Sequence, residues 1–399
     1  MNILYTITSY PPSMGGAQLY LHEIAKRAKE EHNIQVFSFF NTNRNDWLMG
    51  TTLRTPCAEV NYTLEGVKVK LISFNNEEKL RLLPHVSTYY INKMYNIACI
   101  SKLIEKKLYP IDRKIDLIHN VRVGREPLSY ASYYLAKRLK IPFIFTPLHH
   151  PRWNHWFFKE YQNLYRKADG LFALTPYEKE LYQGFGVETE NIFVTGTGAV
   201  LSNQANPERF KEKYGISGNL ILFIGQGYKY KGIQDLLNAA KIVFNHAKNV
   251  DFVFIGPHTS YSSRLFKRER DIRIKHIGKV DLQTKTDALA ACDIFCLPSR
   301  QESFGAVFLE AWCFGKPVIG ADIPQLNCVI ENGINGYLVA PNPKKIAQRI
   351  MDLLNDSGMR ARLGLTGKKM VEENFTWDIL YRKTITDYQK IIENYKKNA

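Results

Sequence analysis

Residues 300–320 read RQESFGAVFLEAWCFGKPVIG, and this stretch decides the fold of the 399-residue chain. It follows one apolar run, DIFCLP (293–298), and ends within a second, KPVIGA (316–321), with a helical pattern between the two. Short apolar strands that alternate with helices are typical of a parallel sheet. The sequence therefore predicts an α/β fold at this point of the chain.

The same alternation extends outward along the chain. Strand patterns before residue 199 are NILYTITSY (2–10), IQVFSFF (34–40), VKVKLISF (67–74), DLIHNV (116–121), PFIFTPL (142–148), GLFALT (170–175) and NIFVTG (191–196). Those after residue 219 are LILFIG (220–225), DFVFIG (251–256), IKHIG (274–278), DIFCLP, KPVIGA and GYLVA (336–340). Residues 199–219 are polar and rich in turn-forming residues, which indicates a linker between two domains.

This pattern predicts two doubly wound α/β domains of similar size, over residues 1–199 and 200–375. Residues 376–399 are expected to form a carboxyl-terminal helix that packs back towards the first domain. Doubly wound sheets bind ligands at the carboxyl ends of their strands. Two such domains facing a central cleft make that cleft the expected binding site.

The composition limits the class of protein. A 45% apolar and 23% charged chain is ordinary for a globular protein, and six scattered cysteines without a Cys-x-x-Cys pair indicate reduced thiols in the cytoplasm. The net charge of +16 suits nucleic acid, an anionic membrane or a phosphate-bearing substrate. The first residues resemble a strand rather than a signal peptide, and no apolar run reaches the roughly 18 residues that cross a bilayer. We therefore expect a cytoplasmic protein, with peripheral attachment to the inner face of the membrane left open.

Two glycine-rich turns resemble nucleotide-binding motifs but lack residues that those motifs require. Gly227 and Gly232 have P-loop spacing, but Ile233-Gln234 follows where Lys-Ser/Thr is required. The turn at 196–198 lacks the third glycine of a dinucleotide fingerprint. Gly15-Gly16 stands between the first strand and the first helix, where free N–H groups could meet a phosphate or sugar. An ordinary turn is the alternative at that position.

Glu302 and Glu310 are separated by seven residues, with a helix start at Ser303-Phe304-Gly305 between them. Carboxylates accept hydrogen bonds from vicinal hydroxyls, and helix-start N–H groups bind anions, so the arrangement suits a sugar–phosphate–ribose ligand. Lys229 and Lys231 lie in a loop after another strand, where they could balance a diphosphate leaving group. The alternatives are two surface glutamates and a solvated lysine pair.

With these residues in place, the chain resembles glycosyltransferase family four, the retaining group 1 glycosyltransferases of the GT-B fold. The family frame of two glutamates seven residues apart stands here as PSRQESFGAVFLEAWCFGKPV (298–318), followed by IENGINGYLVAP (330–341). The resemblance extends from PPSMGGAQLY near the start to NFTWDIL (374–380). It implies a GT-B fold of two Rossmann-like domains. It also implies transfer of a sugar from a nucleotide-diphosphate sugar to an acceptor hydroxyl in glycan, polysaccharide or glycolipid synthesis.

The resemblance implies roles for particular residues. Glu302 would contact the donor-sugar hydroxyls, Glu310 the ribose hydroxyls and Lys231 the donor diphosphate, with Gly16 near the phosphates and sugar. The family commonly has Arg where this chain has Gln226. The donor-binding residues expected from the frame and its neighbouring loop also include Lys229, which would supply the missing charge, and Ser303, Phe304 and Gly305.

The histidines of FTPLHHPRWNHW follow a predicted strand end, which favours an active-site role. The resemblance places His150 at the family's donor-sugar histidine, so that Glu302, His150 and Lys231 form the expected catalytic set; His149 is the second choice. Packing of the pair beside Trp153 is the structural alternative. No Asp-x-Asp is present and no Cys or carboxylate stands near these histidines, so we expect neither a metal nor another cofactor.

The expected partners are a nucleotide-sugar donor and a glycan or lipid-linked acceptor. Residues 79–108 mix basic and aromatic residues, and Tyr90, Met94, Ile97, Ile104 and Leu108 could form one apolar stripe. Such a helix could contact an anionic membrane or face the core. A nucleotide-sugar epimerase and a basic nucleic-acid-binding protein are the alternative functions. The near-complete frame disfavours the first, and the lack of a recognised nucleic-acid motif disfavours the second, so we expect no nucleic-acid partner.

Overall fold

The computed structural model describes residues 1–108, 114–149 and 158–398. The chain divides into two compact units, the first formed by Met1–Gly196 with Trp377–Ala399 and the second by Thr197–Thr376. Each unit is built on a mainly parallel sheet with helices, so the predicted α/β architecture with two parallel-sheet domains is confirmed.

The strands are β1 (Asn2–Ile7), β2 (Asn33–Ser38), β3 (Val60–Leu64), β4 (Val67–Leu71), β5 (Leu117–Val121), β6 (Phe143–Thr146), β7 (Gly170–Ala173), β8 (Ile192–Val194), β9 (Asn219–Ile224), β10 (Val250–Ile255), β11 (Ile274–Gly278), β12 (Ile294–Leu297), β13 (Val318–Ala321) and β14 (Gly336–Val339). The α-helices are α1 (Gly16–Glu31), α2 (Trp47–Gly50), α3 (Asn76–Ser87), α4 (Lys93–Leu108), α5 (Pro127–Leu139), α6 (Lys159–Tyr165), α7 (Pro176–Gly184), α8 (Pro207–Tyr214), α9 (Ile233–Phe244), α10 (Ser260–Phe266), α11 (Leu282–Ala291), α12 (Ala306–Trp312), α13 (Pro324–Asn327), α14 (Pro343–Asn355), α15 (Ser357–Asn374) and α16 (Trp377–Asn398).

The first sheet has the strand order β3-β4-β2-β1-β5-β6-β7-β8. Its pairs are parallel except for β3 with β4, which forms an antiparallel edge hairpin. The sequence did not predict β3, because its VNYTL run is exposed or half-buried and shows no apolar face. All five residues of β5 are buried, as expected for a central strand that is covered on both faces.

Helix α16 belongs to the first unit although it ends the chain. Tyr388 on this helix lies 2.5 Å from Nδ1 of His119 on β5, and Thr146 lies 2.7 Å from the other ring nitrogen. Burial lowers the pKa of His119 to about 3, so the ring is neutral and serves packing. The helix is thereby fixed to the centre of the first sheet.

The second sheet has the order β11-β10-β9-β12-β13-β14, with parallel pairing throughout. The predicted linker over 199–219 needs correction, because it contains α8. Asn206 caps this helix, Pro207 is its first residue and Gly215 ends it in the left-handed conformation. These are ordinary start and stop signals, but the polar helix buries only Phe210, so the hydrophobic pattern was too weak to predict it.

The apolar stripe expected over residues 79–108 also needs correction. The segment forms two helices, and Ile97, Ile104 and Leu108 on α4 are fully buried in the core of the first unit. Tyr90 and Met94, from the same predicted stripe, are exposed instead. Within the described ranges, the structure contains no helix that is both long and apolar enough to span a bilayer.

Candidate functional site

The candidate site lies where β9 and β12, neighbours in the second sheet, both end. The loop after β9 carries Lys231 and the loop after β12 carries Glu302, so parallel pairing brings the two loops to one edge. Gly232 has φ of +78°, and a Cβ there would lie 2.3 Å from the carbonyl oxygen of Pro298. Only glycine permits this approach of the two loops.

Hydrogen bonds fix the two loops to each other. The Arg300 N–H donates to the carbonyl oxygen of Tyr230 at 2.7 Å. The Arg300 guanidinium pairs with Asp235 on α9 and donates to the carbonyl oxygen of Pro341 at 3.1 Å. The main chain on both sides of the site is therefore held in place by the protein itself.

Lys231 and Glu302 are in direct contact. The Lys231 ammonium donates to Oε1 of Glu302 at 2.6 Å, and the side chains are only 16% and 11% exposed. A short, charge-assisted bond with little access to water orients both groups. Two of the three predicted catalytic residues thus form one unit at the strand edge.

Glu310 lies on α12, the helix that follows the Glu302 loop, and its carboxylate is buried. Burial raises the pKa of this carboxyl group, while the ammonium of Lys285 and the backbone of Val200 oppose that rise. Lys285, on α11, donates to Oε1 of Glu310 at 2.6 Å. The second glutamate of the frame is therefore also paired with a lysine, and not with Lys231.

The turn between the glutamates is shaped by its glycine. Gly305 has φ of +82°, and a Cβ there would lie 2.7 Å from the Phe308 ring, so a side chain at this position would be strained. Phe304 is 4% exposed and packs edge-to-face on Phe375 at 5.5 Å. Its side chain belongs to the core, and Phe304 can offer a ligand only its main chain. Ser303 is half-buried between Glu302 and this aromatic contact.

Other residues of the loop after β9 are more exposed than Lys231. Lys229 and Gln226 both face solvent, and the rings of Tyr228 and Tyr230 stack at 5.5 Å with an interplanar angle of 12°. The stack stiffens the short turn at Lys229–Lys231. Lys229 therefore stands on a stiffened turn with its side chain in solvent.

The first unit carries the other predicted residues. Gly16 begins α1, and a Cβ added there would meet no atom of the protein within 4 Å. Nothing in its surroundings requires glycine, so the open space remains available to a ligand.

His149 is buried, with Nδ1 3.0 Å from the Tyr165 hydroxyl, and it packs against the rings of Tyr182 and Phe185. His149 thus has a structural role, whereas His150 lies outside the described residues.

In the part of the chain that the structure describes, no three His, Cys, Asp or Glu side chains come together as metal ligands. The polar groups of the site in the second unit are instead two lysine–carboxylate pairs, Lys231–Glu302 and Lys285–Glu310.

Sequence reasoning missed Lys285 and the anchoring role of Arg300. Lys285 carried no signal, because a lysine in a helix is usually solvated; its contact depends on how α11 and α12 pack. Arg300 was visible inside the frame, but its partners are remote in sequence.

Both halves of the chain match protein-family models. Residues 205–370 match "Glycosyl transferases group 1" and residues 14–203 match "Glycosyltransferase Family 4". The uncharacterized glycosyltransferase MJ1178 of Methanocaldococcus jannaschii is 24% identical over 96% of this chain and 96% of its own length. The capsular polysaccharide biosynthesis glycosyltransferase CapM of Staphylococcus aureus is 26% identical over 48% of this chain and 52% of its own. The chain spans about half the length of most curated relatives that it matches.

A solved structure shares the whole fold. Anabaena HepE, crystallised with UDP and glucose, superposes with a TM-score of 0.72 over 100% of both chains at 18% identity. At that identity the likeness establishes the fold.

Proposed function

Because this chain belongs to the group 1 glycosyl transferases, we propose that it moves a sugar from a nucleoside-diphosphate sugar to an acceptor hydroxyl, with retention at the anomeric carbon. The family and the enzyme class predicted from the frame of Glu302 and Glu310 are confirmed by the family matches. These matches favour transfer over the two alternatives, an epimerase and a nucleic-acid-binding protein.

One observation carries the proposed chemistry: the Lys231–Glu302 pair stands at the strand edge, and Glu310 lies on α12, the short helix that follows the Glu302 loop. In this reaction negative charge develops on the leaving diphosphate and positive charge at the anomeric carbon. Lys231 would stabilise the diphosphate, with Lys229 as an exposed second cation. Glu302 would accept hydrogen bonds from the sugar hydroxyls and Glu310 from the ribose hydroxyls.

The proposal uses no metal or other cofactor, because lysines of the donor loop can balance the diphosphate. Gly16 leaves open space at the start of α1, which suits the close approach of a phosphate or sugar. We assign His150 to the donor sugar on the sequence frame alone. The acceptor would be a glycan or a lipid-linked saccharide, since the relative CapM is a capsular polysaccharide glycosyltransferase.

Thermal melting against UDP-, GDP-, ADP- and CMP-sugars tests the proposal. UDP-glucose comes first, since HepE was also solved with it. A true donor at a hundred times its Kd should stabilise the fold by about 2.7 kcal/mol. Glu310→Gln is the matched variant and should lose most of that effect. If no nucleotide sugar raises the melting temperature or is turned over, the proposed function is wrong.

We also propose that the first unit contacts an anionic membrane, through a surface we call the hairpin tip. It is the exposed apolar group where α3 and α4 meet: Leu80, Leu83, Tyr90, Ile91, Met94 and Tyr95. Single exposed apolar residues are ordinary, but six within residues 80–95, with Ile91 84% exposed, form a group that is typical of an interaction surface. From Lys79 to Ile104 the chain has four cations and no Asp or Glu. Arg81 and Lys93 pair with carboxylates outside this stretch, Glu77 and Glu126, whereas Lys102 is exposed. Exposed apolar and aromatic residues beside such a cation suit an anionic lipid interface.

Vesicle sedimentation tests the hairpin tip. Ile91→Ser combined with Leu83→Ser should reduce binding to vesicles of phosphatidylglycerol while nucleotide-sugar binding stays intact. Ile272→Ser is the control, since Ile272 is 87% exposed in the second unit. Raising salt should weaken the wild-type binding, because the Debye length falls from about 10 Å at 0.1 M to about 3 Å at 1 M. Equal binding to neutral and anionic vesicles would contradict the proposal.

A further inference from the structure

Lys285 occupies a fixed position beside the second glutamate of the frame. Its Nζ lies 2.6 Å from Oε1 of Glu310 and 2.9 Å from the carbonyl oxygen of Val200. The Lys285 and Glu310 side chains are 19% and 9% exposed. Two of the three ammonium donors are thus directed at acceptors that the fold holds in place.

We propose that Lys285 is a positioning residue for the donor nucleotide: it holds one oxygen of Glu310 and presents the other to the ribose hydroxyls. This inference rests on the proposed function, because it takes Glu310 as the ribose-binding carboxylate. A carboxylate with one oxygen fixed has a defined direction for its remaining lone pairs. A direction that is set before the nucleotide arrives lowers the ordering cost of binding the vicinal hydroxyls.

Lys285 also favours the ionised form of Glu310, in which both oxygens accept hydrogen bonds. Burial favours the protonated carboxyl and raises its pKa, and the nearby ammonium is the largest opposing influence. Lys368 and Glu372 on α15 act with opposite signs on Cys313, which neighbours this end of α12. The Lys285 ammonium, in contrast, is in direct contact with the Glu310 carboxylate.

The same lysine ties Glu310 to the segment that enters the second unit. Helix α11 bonds to this segment repeatedly: the Ser202 N–H donates to Thr286 Oγ1 at 2.9 Å, and the Asn206 N–H donates to Asp287 Oδ1 at 2.8 Å. Of these hydrogen bonds, the one from Lys285 to Val200 lies next to the Glu310 carboxylate. The ribose contact is therefore held by the helix that also anchors the incoming chain.

Calorimetric titration with UDP, GDP and ADP, each beside its 2′-deoxy analogue, tests the proposal on the full chain. The wild type should bind one ribonucleotide about tenfold or more tightly than its deoxy form, the effect of one hydrogen bond to a charged group. Lys285→Met should reduce that preference to near unity and weaken the ribonucleotide more than the deoxynucleotide. As the pH is lowered, the affinity of Lys285→Met for the ribonucleotide should begin to fall at a higher pH than that of the wild type. The reason is that loss of the ammonium raises the pKa of Glu310 further.

Two variants make the result decisive. Lys275→Met removes a lysine from another ion pair of the second unit, Lys275–Asp251 at 2.7 Å, and should keep the ribose preference. If Lys285→Met shows no cooperative melting, Lys285→Gln gives the same comparison, since its amide donates hydrogen bonds without charge. A wild type that binds none of the diphosphates overturns both the inference and the proposed function. A wild type that binds, with an unchanged ribose preference in the Lys285 variants, overturns this inference alone.

Discussion

The contact between Lys231 and Glu302 yields a prediction that can be tested before any substrate is known. Lys231→Met leaves the Glu302 carboxylate, 11% exposed, without its cation. Breaking a buried ion pair from one side costs about 3–5 kcal/mol, and the partial exposure here places the expected loss near 2–3 kcal/mol. For a unit of this size each kcal/mol lowers the melting temperature by about 2–4 °C, so we expect a fall of roughly 5–10 °C.

The double variant Lys231→Met with Glu302→Gln should recover most of this loss. Replacing both partners removes the uncompensated charge, and such replacements are often close to neutral. The coupling in a double-mutant cycle should fall in the range of about 0.5–3 kcal/mol that contacting residues show. Glu302→Gln alone should be milder than Lys231→Met, because a lysine can turn its ammonium towards water.

The assay is thermal melting of the four proteins, followed by donor titration. Stability should recover in the double variant, whereas donor binding should stay weak, since both ligand contacts are gone. If the two single effects simply add, the pair does not exist in the free protein and its assignment as one catalytic unit is wrong. If the double variant also binds donor as the wild type does, neither residue contacts the donor.

Two further predictions concern the site, and a third concerns Glu178, a buried carboxyl on α7 of the first unit. Glu310→Gln should raise KM for the donor by about ten- to a hundredfold, whereas Glu302→Gln should mainly lower kcat; the reverse pattern in steady-state kinetics would contradict the assignment. Excess EDTA should leave transfer unchanged, and recovery by Mn²⁺ of an activity that EDTA had abolished would refute metal independence. Burial raises the pKa of Glu178 from 4.5 to about 8, so its stabilising contribution is complete below about pH 4.5 and is lost as pH rises through 8. The melting temperature of Glu178→Gln should therefore rise relative to that of the wild type as the pH is raised. A difference that stays constant with pH would show that this carboxyl is not held protonated.

The fold was predictable where burial dictates the residue pattern. Central strands such as β5 and β9 are covered on both faces, so they appear in the sequence as short apolar runs. The edge strand β3 and the surface helix α8 bury little, and so their sequences carry no comparable pattern. Residues 79–108 show a further limit: hydrophobic spacing indicated helix, but it revealed neither the division into α3 and α4 nor which apolar residues lie in the core and which in the exposed hairpin tip.

The candidate site was predictable as far as chain order defines it. Glu302 and Glu310 lie in one continuous frame and Lys231 follows a strand; their spacing alone left ordinary surface residues as an alternative, and the family resemblance predicted their roles. The contact of Lys231 with Glu302 spans 71 positions and depends on the pairing of β9 with β12. The contact of Lys285 with Glu310 depends on helix packing, which no local pattern records.

The return of α16 to the first unit sets an order of completion during synthesis. Residues 197–376 all leave the ribosome before this helix does, so the second unit has its full sequence while the first still lacks a part. Until then the surface around His119 and Phe172, which Tyr388 covers in the finished protein, stays exposed. Domains usually fold in the order in which they emerge. In this chain the unit that begins first is finished last, and a nascent chain stalled before Trp377 would carry a folded second unit beside an incomplete first one.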